Sequence, residues 1–287
     1  MDKREWKIAR RALPLGGRTL VMGVLNVTPD SFSDGGEFFS TERALARAEE
    51  MIGEGADIID IGGESARPGG ALPVTAEEEL RRVVPVIERL AKTSAIPISV
   101  DTTKAEVARG ALEAGAEIVN DISALRFDPQ VADVAARARA GLVLMHSRGT
   151  LETMHRLEPV ADIMADVIES LSRNVAEAQA RNVARECIAL DPGIGFSKSL
   201  EQNVELIARL DRLARHFADF PILVGTSRKS FIGRLLGGLP VGERVYGTMA
   251  TVTAAVLGGA HIIRVHDVRA AVETVRVADA IKRAAGN

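Results

Sequence analysis

Polar or charged residues follow short apolar runs at eight places in this chain, at roughly regular intervals. These places are Asn26, Asp60, Asp101, Asn120, His146, Asp191, Thr226-Ser227-Arg228 and Arg264-Val265-His266. Asp101, Asn120 and Asp191 carry oxygen atoms that can accept hydrogen bonds from the N–H and amino groups of a flat heterocycle. The alternative is that each caps the following helix, as Asp and Asn often do. Three such acceptors in corresponding positions favour a binding function.

A serine and two adjacent cations form a second candidate site. Ser227 is predicted to cap a helix that contains Arg228 and Lys229, and a helix N-terminus attracts anions. Lys229 could instead reach a carbonyl oxygen or a nitrogen of a bound ring. The alternative is a pair of surface cations, but cations are unusual in the first turn of a helix.

Arg264 and His266 are two residues apart in a predicted strand, so their side chains share one face. A buried strand arginine needs a partner. Together with His266 it would form a fork for phosphate or diphosphate, and the alternative is an internal salt bridge to Asp60 or Asp101. Asn26 could offer its amide oxygen to a metal ion or its amide N–H to a phosphate.

Two long polar segments directly follow the first two apolar runs. Residues 28–40 are dense in carboxylate, hydroxyl and glycine, and residues 64–74 contain Arg67 before Pro68. The proline ring keeps Arg67 extended, which favours a functional guanidinium over a solvated surface charge. Long segments after strands are where lids and substrate pockets are built.

The apolar runs alternate with amphipathic stretches, and this alternation places the candidate residues in a fold. Strand followed by helix, eight times over, predicts a (β/α)8 TIM barrel, with catalytic residues at the C-terminal ends of its strands. The length of 287 residues suits one domain over residues 1–287, with a core from about 19 to 283. Helices are predicted at residues 41–53, 75–92, 104–113, 129–140, 159–181, 200–216, 244–257 and 268–283.

Two local signals support these helices. Thr75 and Glu78 have the spacing of a capping box. Gly55, Gly115 and Gly259 each precede an alanine, a polar residue and a β-branched pair. This pattern suits a glycine of positive φ after a helix and a buried strand behind it.

The composition argues against several classes of partner. Hydrophobic residues make up 46% of the chain and the net charge is -3, so neither nucleic acid nor a membrane surface is favoured. Residues 1–15 lack an apolar leader, and no apolar run approaches the ~18 residues of a membrane span. Cys187 is the single cysteine. A disulfide framework is therefore impossible, and we expect a cytoplasmic protein.

Taken together and in order, the motifs resemble those of the dihydropteroate synthase family. The resemblance covers about residues 23–269 and includes LNVTPDSFSDGG (25–36), GGESARPG (62–69), SVDT (99–102), NDI (120–122), MH (145–146), DPGIGF (191–196), SRKS (227–230) and RVHD (264–267). It implies a TIM barrel that joins 6-hydroxymethyl-7,8-dihydropterin diphosphate to p-aminobenzoate, releasing diphosphate. It also implies Mg²⁺ on the diphosphate, a homodimer, and a carbon–oxygen bond that breaks before the amine attacks.

The resemblance assigns roles to individual residues of this chain. For the pterin ring it implies Asp101, Asn120, Asp191 and Lys229. For the diphosphate it implies Asn26, Arg264 and His266, with Asn26 also at the metal ion. For the p-aminobenzoate pocket it implies Ala66, Arg67, Pro68, Phe196 and Ser230. Catalytic roles fall to Asp101 and Lys229, and to Phe32 and Asp34 in a loop that closes over the site.

Two positions depart from the family pattern, and two other functions compete. The family often has Thr at Ala66 and Gly at Ser197, which bears on the shape of the p-aminobenzoate pocket and on sulfonamide sensitivity. A pterin-binding methyltransferase would keep Asp101, Asn120 and Asp191 but would not explain residues 32–36, 67–68 and 227–230 together. A non-catalytic paralogue should have lost polar strand ends, and this chain keeps all eight.

Overall fold

Eight parallel strands form a barrel in this chain, preceded by a small hairpin. The computed structural model describes residues 5–28, 36–64, 74–150, 153 and 157–286. The strands are β1 (Glu5–Ile8), β2 (Arg11–Pro14), β3 (Leu20–Asn26), β4 (Ile58–Gly62), β5 (Ile98–Asp101), β6 (Ile118–Asp121), β7 (Gly141–Met145), β8 (Ile188–Asp191), β9 (Leu223–Val224) and β10 (Ile262–Val265).

The barrel strands follow one another in chain order around the ring. From β3 to β8 each strand pairs in parallel with the next, and β10 pairs with both β3 and β9. A parallel bridge between Leu190 and Ile222 connects β8 to the segment that leads into β9. The ring is therefore nearly closed, which confirms the predicted (β/α)8 barrel.

The helices lie between these strands and cover the outside of the barrel. They are α1 (Gly36–Glu54), α2 (Ala76–Thr93), α3 (Ala105–Ala114), α4 (Gln130–Ala138), α5 (Ile163–Ala180), α6 (Leu200–Ala208), α7 (Leu210–His216), α8 (Ser230–Leu235), α9 (Val245–Leu257) and α10 (Val268–Ala284). The helix predicted at 200–216 is in fact two helices, since the chain leaves helical geometry at Arg209. None of the described helices is both long and apolar enough to cross a bilayer.

The predicted helix-end signals are largely present. Oγ1 of Thr75 accepts a hydrogen bond from the backbone N–H of Glu78 at 3.2 Å, while the Glu78 carboxylate binds Arg81 and Arg82. Thr75 therefore caps the helix as predicted, but the Glu78 side chain binds the two arginines and does not complete the capping box.

The three glycines at the repeated helix-to-strand joints adopt positive φ, as predicted. Their φ angles are +101° at Gly55, +123° at Gly115 and +101° at Gly259. A Cβ at Gly115 would lie 2.6 Å from the Cβ of Ala91, so this joint requires glycine for packing as well as for its backbone.

The hairpin β1–β2 closes the N-terminal end of the barrel and was not predicted. Trp6 and Ile8 pack among the inward-facing residues near the strand starts, which are Leu20, Met22, Ile58, Ile118, Val143, Ala189, Leu223 and Ile262. The indole N–H of Trp6 donates to the carbonyl of Cys187 at 2.8 Å. With this end filled by apolar side chains, the open end of the barrel is the one where the polar residues lie.

Candidate functional site

A cavity of about 430 Å³ lies at the C-terminal ends of the barrel strands. Nine of the predicted site residues line it: Asn26, Asp101, Asn120, Asp191, Phe196, Lys229, Ser230, Arg264 and His266. The other five, Phe32, Asp34, Ala66, Arg67 and Pro68, lie outside the described residues. Seven or more strands and loops thus contribute to one concave site, as the barrel topology predicts.

An ion-pair cluster forms the floor of this cavity. Nε of Arg264 donates to Oδ2 of Asp60 at 2.6 Å, and Nη2 donates to Oδ2 of Asp101 at 2.5 Å. Nδ2 of Asn120 also donates to Oδ2 of Asp60, at 3.0 Å. Arg264 therefore makes the internal salt bridge that the sequence left open as an alternative. Asp60 is fully buried and orients both neighbours.

Burial and neighbouring charges shift the pKa values of the ionisable groups in this cavity. Burial raises the pKa of Asp101 to about 7, although Arg264 opposes the shift. Burial lowers the pKa of Lys229 to about 7, although Asp191 opposes this. Burial also works against the charge of Arg264, but Asp60 and Asp101 together raise its pKa above the usual value. Acids and bases that titrate near pH 7 in a cleft are typical of functional sites.

The two adjacent polar residues at the end of β6 have different tasks. Asn120 faces the cavity. Asp121 points into the loop behind it, where its carboxylate accepts hydrogen bonds from the backbone N–H groups of Ser123 and Leu125 and from the Ser123 hydroxyl. These bonds hold Ala124 and Leu125 at positive φ. Asp121 thus shapes the loop, and Asn120 remains for the ligand.

The turn after β8 carries the next part of the site. Oδ1 of Asp191 accepts the backbone N–H of Gly193 at 2.6 Å, and burial raises the pKa of Asp191. Nζ of Lys229 lies 3.8 Å from the ring centroid of Phe196. A Cβ at Gly195 would come within 2.7 Å of Cδ of Lys229. The lysine side chain therefore packs along the glycine and ends over the aromatic face, a cation–π arrangement.

The predicted helix cap at Ser227 is wrong. Lys229 occupies the N-cap position of α8, which has six residues and no side-chain cap. Oγ of Ser227 instead lies 3.0 Å from Nδ1 of His266 and accepts the backbone N–H of His266 at 3.1 Å. The serine therefore connects the ends of the neighbouring strands β9 and β10, and Arg228 at φ +59° turns the chain before the helix begins.

A buried ion-pair group that the sequence analysis missed supports the second loop. Nζ of Lys104 donates to Glu64 at 2.7 Å and to Glu79 at 2.5 Å. The other oxygen of Glu64 accepts the backbone N–H of Val74 at 2.8 Å. Glu64 is thus bonded to both Lys104 and the backbone of Val74. The only sequence signal was a lysine at the start of α3, which resembles an ordinary surface charge.

Ser197 lies outside the cavity wall, contrary to the expectation for the p-aminobenzoate end. It is buried at φ +49°, and its hydroxyl accepts the backbone N–H of Arg148 at 2.9 Å. A positive φ is a conformation that glycine adopts more readily than serine. Ser197 therefore contacts Arg148 of the neighbouring segment and does not itself line the cavity.

Within the described ranges, no group of three or more His, Cys, Asp or Glu side chains is arranged to hold a metal ion. Asn26 is one of the side chains that offer an oxygen atom to the cavity. One amide oxygen fits Mg²⁺ that arrives on a phosphate group and keeps several waters, which is the usual habit of this ion.

Comparison with known proteins shows similarity along almost the whole chain. The family described as pterin binding enzyme matches residues 22–266. The dihydropteroate synthase of Synechocystis sp. is 52% identical over 268 residues, which is 93% of this chain and 92% of the relative. That of Escherichia coli strain K12 is 46% identical over 267 residues, which is 93% of each.

Solved structures agree in three dimensions as well. The Yersinia pestis dihydropteroate synthase in a sulfonamide drug complex has a TM-score of 0.89 at 41% identity and covers 98% of this chain and 99% of that one. The Xanthomonas albilineans enzyme with 4-aminobenzoic acid has a TM-score of 0.90 at 43% identity, with coverage of 98% and 99%. The same enzyme with 7,8-dihydropteroate gives 0.84 at 40%, with coverage of 97% and 98%.

Proposed function

This chain belongs to the dihydropteroate synthase family, and we propose that its cavity condenses 6-hydroxymethyl-7,8-dihydropterin diphosphate with p-aminobenzoate. The products are 7,8-dihydropteroate and diphosphate, so the chain is a transferase of folate biosynthesis. The observation that supports this most strongly is the meeting of three acceptor side chains, a lysine over an aromatic ring and a histidine in one cavity.

The acceptor rim suits the amino-pyrimidine edge of a pterin. Asp60 already takes a hydrogen bond from Nδ2 of Asn120, which orients the amide so that its oxygen accepts from the ligand. Asp191 and Asp101 supply carboxylate oxygens for ring N–H and amino groups. Lys229 donates to a ring nitrogen or carbonyl. These four residues together recognise both donor and acceptor atoms of the ring.

The diphosphate end of the substrate meets His266, Ser227 and Asn26. We propose that His266 donates to a phosphate oxygen while Ser227 orients its ring, and that Arg264 adds positive charge from the cavity floor. Mg²⁺ bound to the diphosphate would be held by Asn26, and it supplies neutralisation of the leaving group's negative charge. Because Arg264 is already bonded to Asp60 and Asp101, we propose that it acts on the diphosphate through its positive charge. The same charge also acts on the pterin end of the cavity.

The reaction proceeds by departure of the leaving group before attack. The bond between the pterin methylene carbon and the diphosphate oxygen breaks, and both electrons leave with the diphosphate. The resulting cation is delocalised over the dihydropterin ring, where Asp101 and Asp191 stabilise its positive charge. The amine lone pair of p-aminobenzoate then attacks the methylene carbon, and the nitrogen releases one proton to solvent or diphosphate. Ring burial limits capture of the cation by water.

p-Aminobenzoate would lie at the outer end of the cavity, against Phe196 and Ser230. We propose that Ala66, Arg67 and Pro68 complete this pocket and that Phe32 and Asp34 close over the pterin end. Relatives have been solved with 4-aminobenzoic acid and with a sulfonamide drug, which supports a p-aminobenzoate-type ligand and makes the chain a candidate sulfonamide target.

The pH dependence of the reaction follows from the shifted pKa values. We expect kcat/KM for the pterin diphosphate to peak close to neutrality, because this ratio reports ionisations of the free enzyme. Burial holds the pKa of Asp101 at about 7, so the ratio falls on the acid side as the carboxylate gains a proton. Burial also lowers the pKa values of Lys229 and Lys198 to about 7, so the ratio falls on the alkaline side as an ammonium loses one. A ratio that stays constant from about pH 6 to about pH 8 would contradict these assignments.

Replacing His266 with Ala should weaken binding of the pterin diphosphate more than binding of the free pterin alcohol. The ring of His266 lies at the cavity wall opposite the pterin acceptors and is held by Ser227. We expect a loss of about tenfold in the Kd of the diphosphate, the size of one charge-assisted hydrogen bond. Isothermal titration calorimetry with both ligands checks this, and equal losses for the two would argue against a diphosphate role.

The two competing functions account for less of the site. A pterin-binding methyltransferase would use Asp101, Asn120 and Asp191, but it has no need of a lysine placed over Phe196 or of a diphosphate end. A non-catalytic paralogue is difficult to reconcile with Asp101 and Lys229, which titrate near neutrality inside the cavity.

We propose a homodimer formed through the outer faces of α8, α9 and α10. This side of the barrel has a group of large exposed apolar side chains, which are Leu235, Leu236, Tyr246, Val277 and Ile281. Tyr246 is 86% exposed, which is unusual for a large aromatic side chain that has no partner surface. Analytical ultracentrifugation should give the mass of a dimer, and Tyr246→Glu should shift it towards the monomer.

We also propose that the protein works in the cytoplasm. Its single cysteine is buried and reduced, and a folate precursor enzyme needs diphosphate substrates that are made inside cells. Cell fractionation followed by immunodetection checks this placement.

The dissociative route has its own test in the substrate's bridging oxygen. With ¹⁸O in the carbon–oxygen bridge and no p-aminobenzoate present, reversible cleavage lets the diphosphate rotate before it recombines. We expect ¹⁸O to appear in non-bridging positions of recovered substrate, measured by phosphorus NMR. Turnover with p-aminobenzoate but no exchange in its absence would favour direct displacement.

A further inference from the structure

The turn between β8 and α6 wraps around the ammonium group of Lys198. Nζ of Lys198 donates to the carbonyl of Gly193 at 2.8 Å and to the carbonyl of Phe196 at 2.9 Å. It also lies 2.9 Å from Nδ1 of His146 and 3.4 Å from the carbonyl of His146. Positive φ at Gly193, Gly195 and Ser197 gives the turn its curvature, and the carbonyls of Gly193 and Phe196 face this one cation.

His146 is held so that it can only accept from Lys198. Nε2 of His146 lies 3.0 Å from Oδ2 of Asp166, and a carboxylate accepts but does not donate. The ring proton is therefore on Nε2, and Nδ1 presents its lone pair to Lys198. Burial and the neighbouring cation lower the pKa of His146 to about 2, so the ring stays neutral. In this hydrogen-bonded series of Asp166, His146 and Lys198, the lysine must therefore donate a hydrogen bond to Nδ1 of His146.

The other side of the same turn faces the cavity. The backbone N–H of Gly193 binds the carboxylate of Asp191, Gly195 packs on the Lys229 side chain, and the Phe196 ring lies under the Lys229 ammonium. The turn has little freedom to adjust, since a Cβ at Gly193 would lie 1.9 Å from the carbonyl oxygen of His146. Any displacement of the turn therefore moves Asp191, Phe196 and Lys229 together.

We propose that Lys198 is a positioning residue of the site: its ammonium holds the turn from behind and thereby sets the places of Asp191, Phe196 and Lys229. This inference rests on the proposed function for the identity of the two ligands. Lys198 does not line the cavity, and we place it in contact with neither ligand. Its effect passes through the carbonyls of Gly193 and Phe196 to the groups that bind pterin and p-aminobenzoate.

The arrangement needs an ammonium and not merely a long side chain. Two carbonyl oxygens and one ring nitrogen use the three N–H donors of a protonated lysine, whereas a neutral amine has two donors and a lone pair. Burial lowers the pKa of Lys198 to about 7; Asp191 and Asp166 oppose this shift, and Lys229 and Arg148 add to it. The other ionisable group in contact is His146, which stays neutral. The ammonium is thus held in place chiefly by its acceptors and by these two carboxylates.

Lys198→Met tests the proposal, because methionine has a similar length and no donor. We expect the Kd of the pterin ligand and the KM of p-aminobenzoate each to rise about tenfold, the loss typical of charge-assisted hydrogen bonds that no longer form. The matched control is Lys92→Met, at an exposed lysine of α2 far from the cavity, which should change neither value. Asp166→Ala should give the same direction of change with a smaller size, because it removes only the group that orients His146.

Chemical rescue separates positioning from a general loss of structure. In Lys198→Ala, added ethylammonium should lower the raised KM of p-aminobenzoate part of the way to the wild-type value. Tetramethylammonium, which has no N–H, should leave the KM unchanged. Pterin binding measured by calorimetry, which needs no turnover, keeps this test independent of the proposed reaction. If wild-type enzyme fails to form dihydropteroate but Lys198→Met still weakens pterin binding, the proposed function fails and this inference stands. Unchanged Kd and KM in a folded Lys198→Met protein would overturn the inference.

Discussion

Replacing Lys229 with Ala is expected to lower kcat by about 10²- to 10³-fold while the protein remains folded. Its ammonium lies over Phe196 and is influenced by the charge of Asp191, and we propose that it donates a hydrogen bond to a nitrogen or carbonyl of the pterin ring. Removing one preorganised charged donor from a closed site typically costs about 3–4 kcal/mol of transition-state stabilisation. Steady-state kinetics with both substrates at saturation, together with a thermal melt, measure the effect.

Two variants accompany this measurement. Lys229→Arg keeps the positive charge but cannot keep the same donor position against Gly195, so we expect partial activity. Lys92→Met, on the outside of α2, should leave kcat unchanged. Activity of folded Lys229→Ala within about threefold of the wild type would show that the lysine is not part of the reaction centre.

Replacing Arg264 with Met should destabilise the fold by about 3–5 kcal/mol, the usual cost of leaving a buried charge without its partner. Arg264 bridges Asp60, which is fully buried, and Asp101. Without the guanidinium both carboxylates face each other at the cavity floor. Urea unfolding monitored by circular dichroism gives the free energy of unfolding of both proteins.

The sign of the pH effect in this variant is also determined. A carboxyl group whose pKa is raised in the folded state destabilises the fold above its unfolded pKa, and the effect is complete above the folded pKa. Burial already holds the pKa of Asp101 at about 7 in the wild type, and loss of Arg264 raises it further. The stability deficit of Arg264→Met should therefore grow above about pH 7, where Asp101 of the folded wild type has ionised and Asp101 of the folded variant has not.

A second substitution checks the cause of this deficit. Asp60→Asn in the Arg264→Met background removes one of the two unpaired charges, so it should recover part of the lost stability. A double variant no more stable than Arg264→Met would mean that the loss comes from packing and not from unpaired charge.

Much of the site could be predicted from sequence because the barrel places every strand end on one rim. The rule needs only an apolar run and the polar residue after it, and it identified Asp101, Asn120 and Asp191 correctly as cavity residues. The two-residue period of a strand also predicted that Arg264 and His266 lie on the same face. It could not decide between a diphosphate and Asp60 as the partner of Arg264, because β4 and β10 are brought together only by closure of the barrel.

Other features were beyond sequence reasoning for physical reasons. The hairpin strand that carries Trp6 has four residues, too few for alternation to stand out, and its partners lie all around the barrel interior. Lys198 reaches His146 across 52 residues, and this contact depends on three positive-φ residues in a turn. Ser227 looked like a helix cap because local spacing alone suggested it, whereas its hydroxyl contacts His266 at the end of the neighbouring strand.

The most direct test of the central claim is diphosphate release from the pterin diphosphate, followed with and without p-aminobenzoate in the presence of Mg²⁺. A coupled inorganic pyrophosphatase assay measures the release, and mass spectrometry of the same samples measures dihydropteroate. We predict rapid release that depends on p-aminobenzoate, with one dihydropteroate formed for each diphosphate. Release that is indifferent to p-aminobenzoate and yields only the pterin alcohol, or no release at all, would contradict the assignment of this cavity as a dihydropteroate-forming site.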